Sequence, residues 1–222
     1  MSQSTASAGA GYEGPRRRMV ARLEREGIAD PRVLSAFQSV PRHCLVPEAL
    51  RHRAYDDSAL PIGARQTISA PSIVAAMSEA LALQGHETVL EIGTGSAYQT
   101  AILSRLAERV ISVERIPALA NRARSALDGF GISNVVVYLG DGSRGWPRVA
   151  PYDAIVVTAA APSVPQPLLD QLAPGGRLVG PFGTREEQAL LRITRRADGA
   201  SECERLGRCR FVDLVGENGW AA

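Results

Sequence analysis

The strongest chemical pattern in the chain is a run of small residues, Gly93-Thr94-Gly95-Ser96-Ala97. It lies between a strand-like segment, residues 88–92, and a helix that opens at Tyr98. Glycines at a strand-to-helix turn let backbone approach a ligand closely, and the first N–H groups of the following helix are unpaired. That combination suits a nucleotide-type cofactor. About twenty residues further on, Val110-Ile111-Ser112-Val113 ends in Glu114, the spacing expected of a carboxylate that accepts ribose hydroxyls. Alone, Glu114 reads equally well as a surface acid favoured by a helix dipole. Beside the glycine loop it reads as a ligand group. The dinucleotide fingerprint G-x-G-x-x-G/A requires a small residue at position 98, and Tyr98 breaks it. A nicotinamide dehydrogenase is therefore the weakest option.

Composition removes other classes. The chain has 222 residues, 45% hydrophobic and 22% charged, a length and balance typical of one globular domain. All 25 basic residues are arginine. Without lysine there is neither a pyridoxal phosphate Schiff base nor a P-loop. A net charge of +2 argues for neither nucleic acid nor membrane, and no apolar run approaches the roughly 18–20 residues of a span. Cys44, Cys203 and Cys209 form no CxxC and read as reduced thiols of a cytoplasmic protein, with no metal site. His43, His52 and His86 belong to no Ser–His–Asp pattern.

The elements that must position the loop follow from periodicity. Residues 1–14 are Ser, Ala and Gly rich and are expected to form a disordered tail. Helical spacing runs from 15 until Gly27 stops it and again over 31–40, and Pro47 can open a third helix. Residues 55–69 are an aperiodic loop, of the kind that is often functional. A helix follows over 72–83. After Gly85 strands and helices alternate: strands at 88–92, 110–113, 135–139, 154–158 and 177–179, helices at 98–106, 117–127 and 167–172. Residues 188–194 and 209–215 read as two strands joined by a turn near Asp198-Gly199. This predicts an α/β domain over 15–222, a doubly wound and mostly parallel seven-stranded sheet with an antiparallel C-terminal hairpin and an N-terminal helical extension. Residues 15–84 are the helical part with the loop, and 85–222 the sheet core.

Glu91, Gly93 and Gly95, with Ala97 in place of a third glycine, resemble the E-x-G-x-G-x-G motif of the class I S-adenosylmethionine-dependent methyltransferases. Asp141-Gly142 resembles that fold's adenine-recognising acid, although Asp-Gly is also an ordinary turn. The strand ending at Thr158 resembles the one that borders the methyl group. A closer resemblance is to the protein-L-isoaspartate O-methyltransferases. It is carried by Ala54-Tyr55-Asp56-Asp57, Leu60-Pro61-Ile62-Gly63, Gln66-Thr67-Ile68-Ser69-Ala70-Pro71 and Val89-Leu90-Glu91-Ile92-Gly93-Thr94-Gly95-Ser96. Ser112-Val113-Glu114-Arg115, Gly140-Asp141-Gly142 and Arg210-Phe211-Val212-Asp213-Leu214-Val215-Gly216 extend it over roughly residues 16–220. Three positions depart from the family pattern: Arg65 for glycine, Ser72 for an aromatic and Asp213 for proline.

The resemblance implies methylation of the free α-carboxylate of L-isoaspartyl residues, in damaged proteins and peptides, by S-adenosyl-L-methionine. The ester then closes to a succinimide. Ser69 is implied as the catalytic residue. The cofactor set would be Gly63, Thr67, Ser69, Glu91, Gly93, Thr94, Gly95, Glu114, Arg115, Asp141, Gly142 and Thr158. No metal, nucleic acid or membrane partner is implied, and a monomer is expected. An α-carboxylate has a pKa of about 3.3–3.7 and is already ionised at pH 7, so no general base is needed. Ser69 has a competing reading, as a serine that caps the helix after it. Two other functions stay open, a class I methyltransferase for another small-molecule or protein acceptor and a non-catalytic cofactor-binding module.

Overall fold

The computed structural model describes residues 11–221. Five of its seven main strands are parallel because helices return the chain between them: β3 (Thr88–Ile92), β4 (Arg109–Glu114), β5 (Val135–Leu139), β6 (Tyr152–Val157) and β7 (Leu172–Gly183). Two strands, β8 (Gln188–Arg195) and β9 (Ser201–Cys209), then continue antiparallel from β7. The order is β5-β4-β3-β6-β7-β8-β9, with β1 (Leu60–Gly63) and β2 (Gln66–Ile68) forming a separate hairpin. The doubly wound mostly parallel sheet with its antiparallel end is the predicted fold.

Strands buried on both faces are apolar throughout. In β3 and β6, Val89, Ala154 and Val156 face one core while Leu90, Ile92, Ile155 and Val157 face the other. The first core is closed by α1 (Glu13–Arg25), α2 (Pro31–Ser39), α3 (Pro71–Ala80), α4 (Tyr98–Leu103) and α5 (Pro117–Gly129). The other includes Leu168 of α6 (Gln166–Asp170).

Three expectations are corrected. Residues 1–10 of the expected tail lie outside the described residues, but Glu13 and Gly14 already belong to α1, and Tyr12 stacks on His43 with ring centroids 4.0 Å apart. The last strand is Ser201–Cys209, not 209–215. It is an exposed edge of mostly charged and polar residues, so it carries no apolar alternation to read. Residues 60–68, taken for loop, form the β1–β2 hairpin. Its turn residues Ala64 and Arg65 sit at φ 50° and 57°, left-handed values that glycine or asparagine normally supply in such turns. The hairpin is held over the sheet by Arg122, whose Nη2 donates to Ile62 O at 2.6 Å.

Left-handed backbone is costly for a side-chain-bearing residue, and Arg65 is exposed, so little packing offsets the strain. Arg65→Gly should therefore raise unfolding stability by about 0.5–1 kcal/mol, read as a higher urea midpoint with an unchanged slope.

Candidate active site

The strand order reverses between β3 and β6, and a cleft opens at the carboxyl ends of these strands, as ligand crevices do in open α/β sheets. It encloses ≈ 760 Å³ including the space at its mouth. Around the glycine loop it is lined by Gly93, Thr94, Gly95, Glu114, Arg115, Gly142 and Thr158. Thr67, Ile68, Ser69 and the segment 212–215 complete the lining.

Gly93 has φ 96°, and a Cβ there would overlap the Thr158 hydroxyl. That hydroxyl lies 2.9 Å from Ile92 O and 2.6 Å from Gly93 O and donates between them. Gly93 N donates to Val113 O at 2.8 Å, and Gly95 N to Glu114 Oε2 at 2.9 Å. The other oxygen of Glu114 accepts from Ile116 N, 2.9 Å away. The loop is thus tied to three strand ends, and Glu114 is buried but lines the cleft.

Ser69 lies half-buried in the lining just before α3. The capping reading of its hydroxyl is not realised. The cap position is Ala70, without a side-chain bond, and Asp57 Oδ1 instead accepts from Ser72 N at 2.9 Å. Asp57 thereby substitutes for Ser69 at the helix start, a part that its position fifteen residues away kept out of sight. Nine of the twelve expected residues line the cleft together: Thr67, Ser69, Gly93, Thr94, Gly95, Glu114, Arg115, Gly142 and Thr158.

The other three do not. Gly63 is exposed at the end of β1, and nothing lies within 4 Å of where its Cβ would be. Glu91 is fully buried beneath the loop. Thr100 and Ser112 each donate to its Oε2 at 2.6 Å, and Thr94 donates on to Ser112 at 2.5 Å. Asp141 is not among the lining residues, and its carboxylate accepts from Ser143 N at 2.9 Å and Oγ at 2.7 Å and from Glu217 N at 2.8 Å. Burial alone would raise its pKa, but the bonds from Glu217 and Ser143 outweigh that and hold it below the usual carboxylate range.

Sequence reasoning did not single out Gln99 or name Asp213 as a site residue. Gln99 lines the cleft floor, with Nε2 2.9 Å from Ser78 Oγ. Ser78 spends its proton on Val74 O, so it must accept from the amide nitrogen and the orientation of Gln99 follows. Only the resemblance drew attention to Asp213, a polar side chain in a segment that reads as an apolar strand.

The parallel sheet, the switch-point cleft and the glycine loop with its strand-end acid define a class I methyltransferase. The family model for protein-L-isoaspartate(D-aspartate) O-methyltransferase matches residues 15–219, and the chain belongs to that family. A protein-L-isoaspartate O-methyltransferase of Syntrophus aciditrophicus is 53% identical over 213 residues, 95% of this chain and 98% of the relative. One from Pseudomonas syringae pv. tomato is 56% identical over 201 residues, 90% and 95% of the two chains. A solved protein-L-isoaspartate O-methyltransferase superposes with TM-score 0.82 at 29% identity, over 92% of this chain and 67% of that one. A Plasmodium falciparum structure of the same family name, in complex with S-adenosyl-L-homocysteine, gives 0.79 at 25% identity over 90% and 98%.

Burial pushes the Glu91 pKa up to about 8, more than the bonds from Ser112 and Thr100 lower it. The folded protein therefore keeps a proton that the unfolded chain loses above about pH 4.3. This group destabilises the fold progressively as pH rises toward 8, by at most about 1.4 kcal/mol per pH unit. Glu91→Gln keeps the acceptor for both hydroxyls and removes the titration. Its melting temperature relative to wild type should rise steadily between pH 5 and pH 8 and level off above.

Proposed function

We propose that the chain methylates the free α-carboxylate of L-isoaspartyl residues in proteins and peptides, with S-adenosyl-L-methionine as methyl donor. The observation that carries this reading is one cleft lined both by the glycine loop with Glu114 and by Thr67-Ile68-Ser69. Family membership over residues 15–219 supports the substrate class.

The residues present fit the cofactor. The missing Cβ at Gly95 leaves backbone open to a ligand, while that at Gly93 makes room for the Thr158 hydroxyl that fixes the loop. Glu114 can accept the ribose hydroxyls beyond the two N–H bonds it already holds. Thr94, Arg115 and the backbone at Gly142 complete that end. Asp141 acts one step back, pinning residues 142–143 and the C-terminal segment at 217. Glu91 likewise acts from beneath, through Ser112 and Thr94.

When bound, the cofactor supplies an electrophilic methyl on a sulfonium. The protein's work is alignment and exclusion of water, because the acceptor carboxylate is already an anion and needs no base. On this reading the Ser69 hydroxyl donates a hydrogen bond that orients that carboxylate, a role supported by its place in the lining and by Asp57 taking over at the helix start. The acceptor carboxylate is itself the nucleophile, so none is asked of Ser69. Thr67, two residues before it, lines the same cleft.

We further infer a monomeric, cytoplasmic protein with no nucleic-acid partner. Free Cys44, Cys203 and Cys209 support a reducing compartment. The edge strand β9 carries Glu202, Glu204, Arg205 and Arg208, charges that discourage strand pairing with a second copy. Among the described residues, no helix is long and apolar enough to cross a membrane.

The deciding experiment offers labelled cofactor to one peptide made with isoaspartate and again with aspartate. Base-labile label on the isoaspartyl form alone is expected. Cofactor binding without transfer to either form would overturn the substrate assignment. Ser69→Ala should lower kcat about 10–100-fold while the Kd for S-adenosyl-L-homocysteine changes by less than about twofold. Unchanged turnover would reject the role of the hydroxyl.

A further inference from the structure

Asp213 places a carboxylate in the wall of a cleft whose acceptor, on the reading above, is itself a carboxylate. The cleft lining holds two acids. Glu114, at the cofactor end, is occupied by the N–H groups of Gly95 and Ile116. Asp213 stands elsewhere in the lining, in a strap bonded to Ala160 on both sides: Ala160 N donates to Val212 O at 2.8 Å and Leu214 N to Ala160 O at 2.7 Å. These bonds fix the backbone at Asp213, and like charges brought together in a partly buried site are strongly unfavourable.

The β7–β8 turn supplies the countercharge. Arg185 Nε donates to Asp213 Oδ2 at 2.8 Å, and its guanidinium lies 4.5 Å from the centre of the Trp220 ring. Trp220 is itself fixed by Nε1–H bonding to Ala160 O at 3.0 Å. Of the two acids that follow Arg185 in this turn, Glu187 pairs with Arg205 and Arg208 across the edge strands, and the carboxylate paired with Arg185 is that of Asp213. Stacking and ion pairing together hold one arginine at the rim of the acceptor wall.

We propose that Arg185 is a specificity-determining residue of the methyl transfer, which neutralises Asp213 so that the acceptor wall admits an anionic isoaspartyl peptide. This rests on the isoaspartyl reading. The same pair makes the enzyme sensitive to charge next to the modified residue: with Arg185 gone, the bare Asp213 carboxylate repels acidic flanks most.

The test uses the full chain and three isoaspartyl peptides that differ only in a neutral, glutamate or arginine neighbour. Arg185→Ala should raise KM for the neutral peptide about five- to tenfold, more for the glutamate peptide and less for the arginine peptide. Its kcat and its Kd for S-adenosyl-L-homocysteine should stay within about twofold, and about 0.5 M salt should shrink the KM effect. Adding Asp213→Asn to Arg185→Ala should restore KM, as should Arg185→Lys on its own. A KM unmoved by Arg185→Ala, or a raised KM that Asp213→Asn fails to reverse, overturns the proposal. A fall in kcat and cofactor affinity together, with KM indifferent to the flanking charge, also overturns it in favour of a purely structural pair. Wild-type enzyme inactive on all three peptides would instead sink the isoaspartyl reading on which this one rests.

Discussion

The site depends on one close approach, the Thr158 hydroxyl against the backbone of Gly93. No residue with a Cβ fits at Gly93, because that atom would occupy the space of the hydroxyl. With the glycine in place, Thr158 ties the end of β6 to the end of β3, while Val113 O receives Gly93 N from the side of β4. Three strand ends converge on one turn. The cleft exists at this place because the sheet changes winding direction here, so no crossing helix covers the ends of β3 and β6.

Polar groups around that turn are arranged in two tiers. Those in the lining present atoms to the cleft, as Glu114, Thr94, Thr158 and Ser69 do. Those beneath or behind hold the first set. Glu91 organises Ser112 and, through it, Thr94; Asp141 ties residues 142–143 to the C-terminal strap; Asp57 closes the start of α3. Buried polar groups of this kind are acceptable only where hydrogen bonds replace water. That explains why the supporting acids sit at fixed partners rather than in the open cleft. Glu91 carries the heaviest desolvation, and it keeps its proton near neutrality as a result.

The same division separates this fold's shared part from its particular chemistry. The glycine loop and Glu114 suit any class I methyltransferase. On the proposed reading the segment 67–69 and the strap 212–215 form the acceptor side, and the three departures from the family pattern lie in or beside these parts. Arg65 sits at a strained turn outside the cleft lining, Ser72 offers its backbone to Asp57, and Asp213 meets Arg185. Of the three departures, Asp213 alone puts a new charge in the wall.

The sequence by itself determined the alternating core, the glycine loop and most of the cleft lining. Apolar strands, proline helix starts and the spacing from Gly93 to Glu114 are local signals, each legible within a window of a few residues. Tertiary structure decided the rest, because it depends on which distant segments meet. Ser72 at the start of α3 is met by Asp57 and not by Ser69, and the Asp141 carboxylate accepts from Glu217 N, 76 positions away in the chain. Glu91, two residues before the first glycine, points into the core rather than the cleft because strand side chains alternate between faces. The countercharge to Asp213 comes from a turn 28 residues earlier, and a hydrogen-bond or ion-pair partner at that range leaves no pattern in a linear sequence.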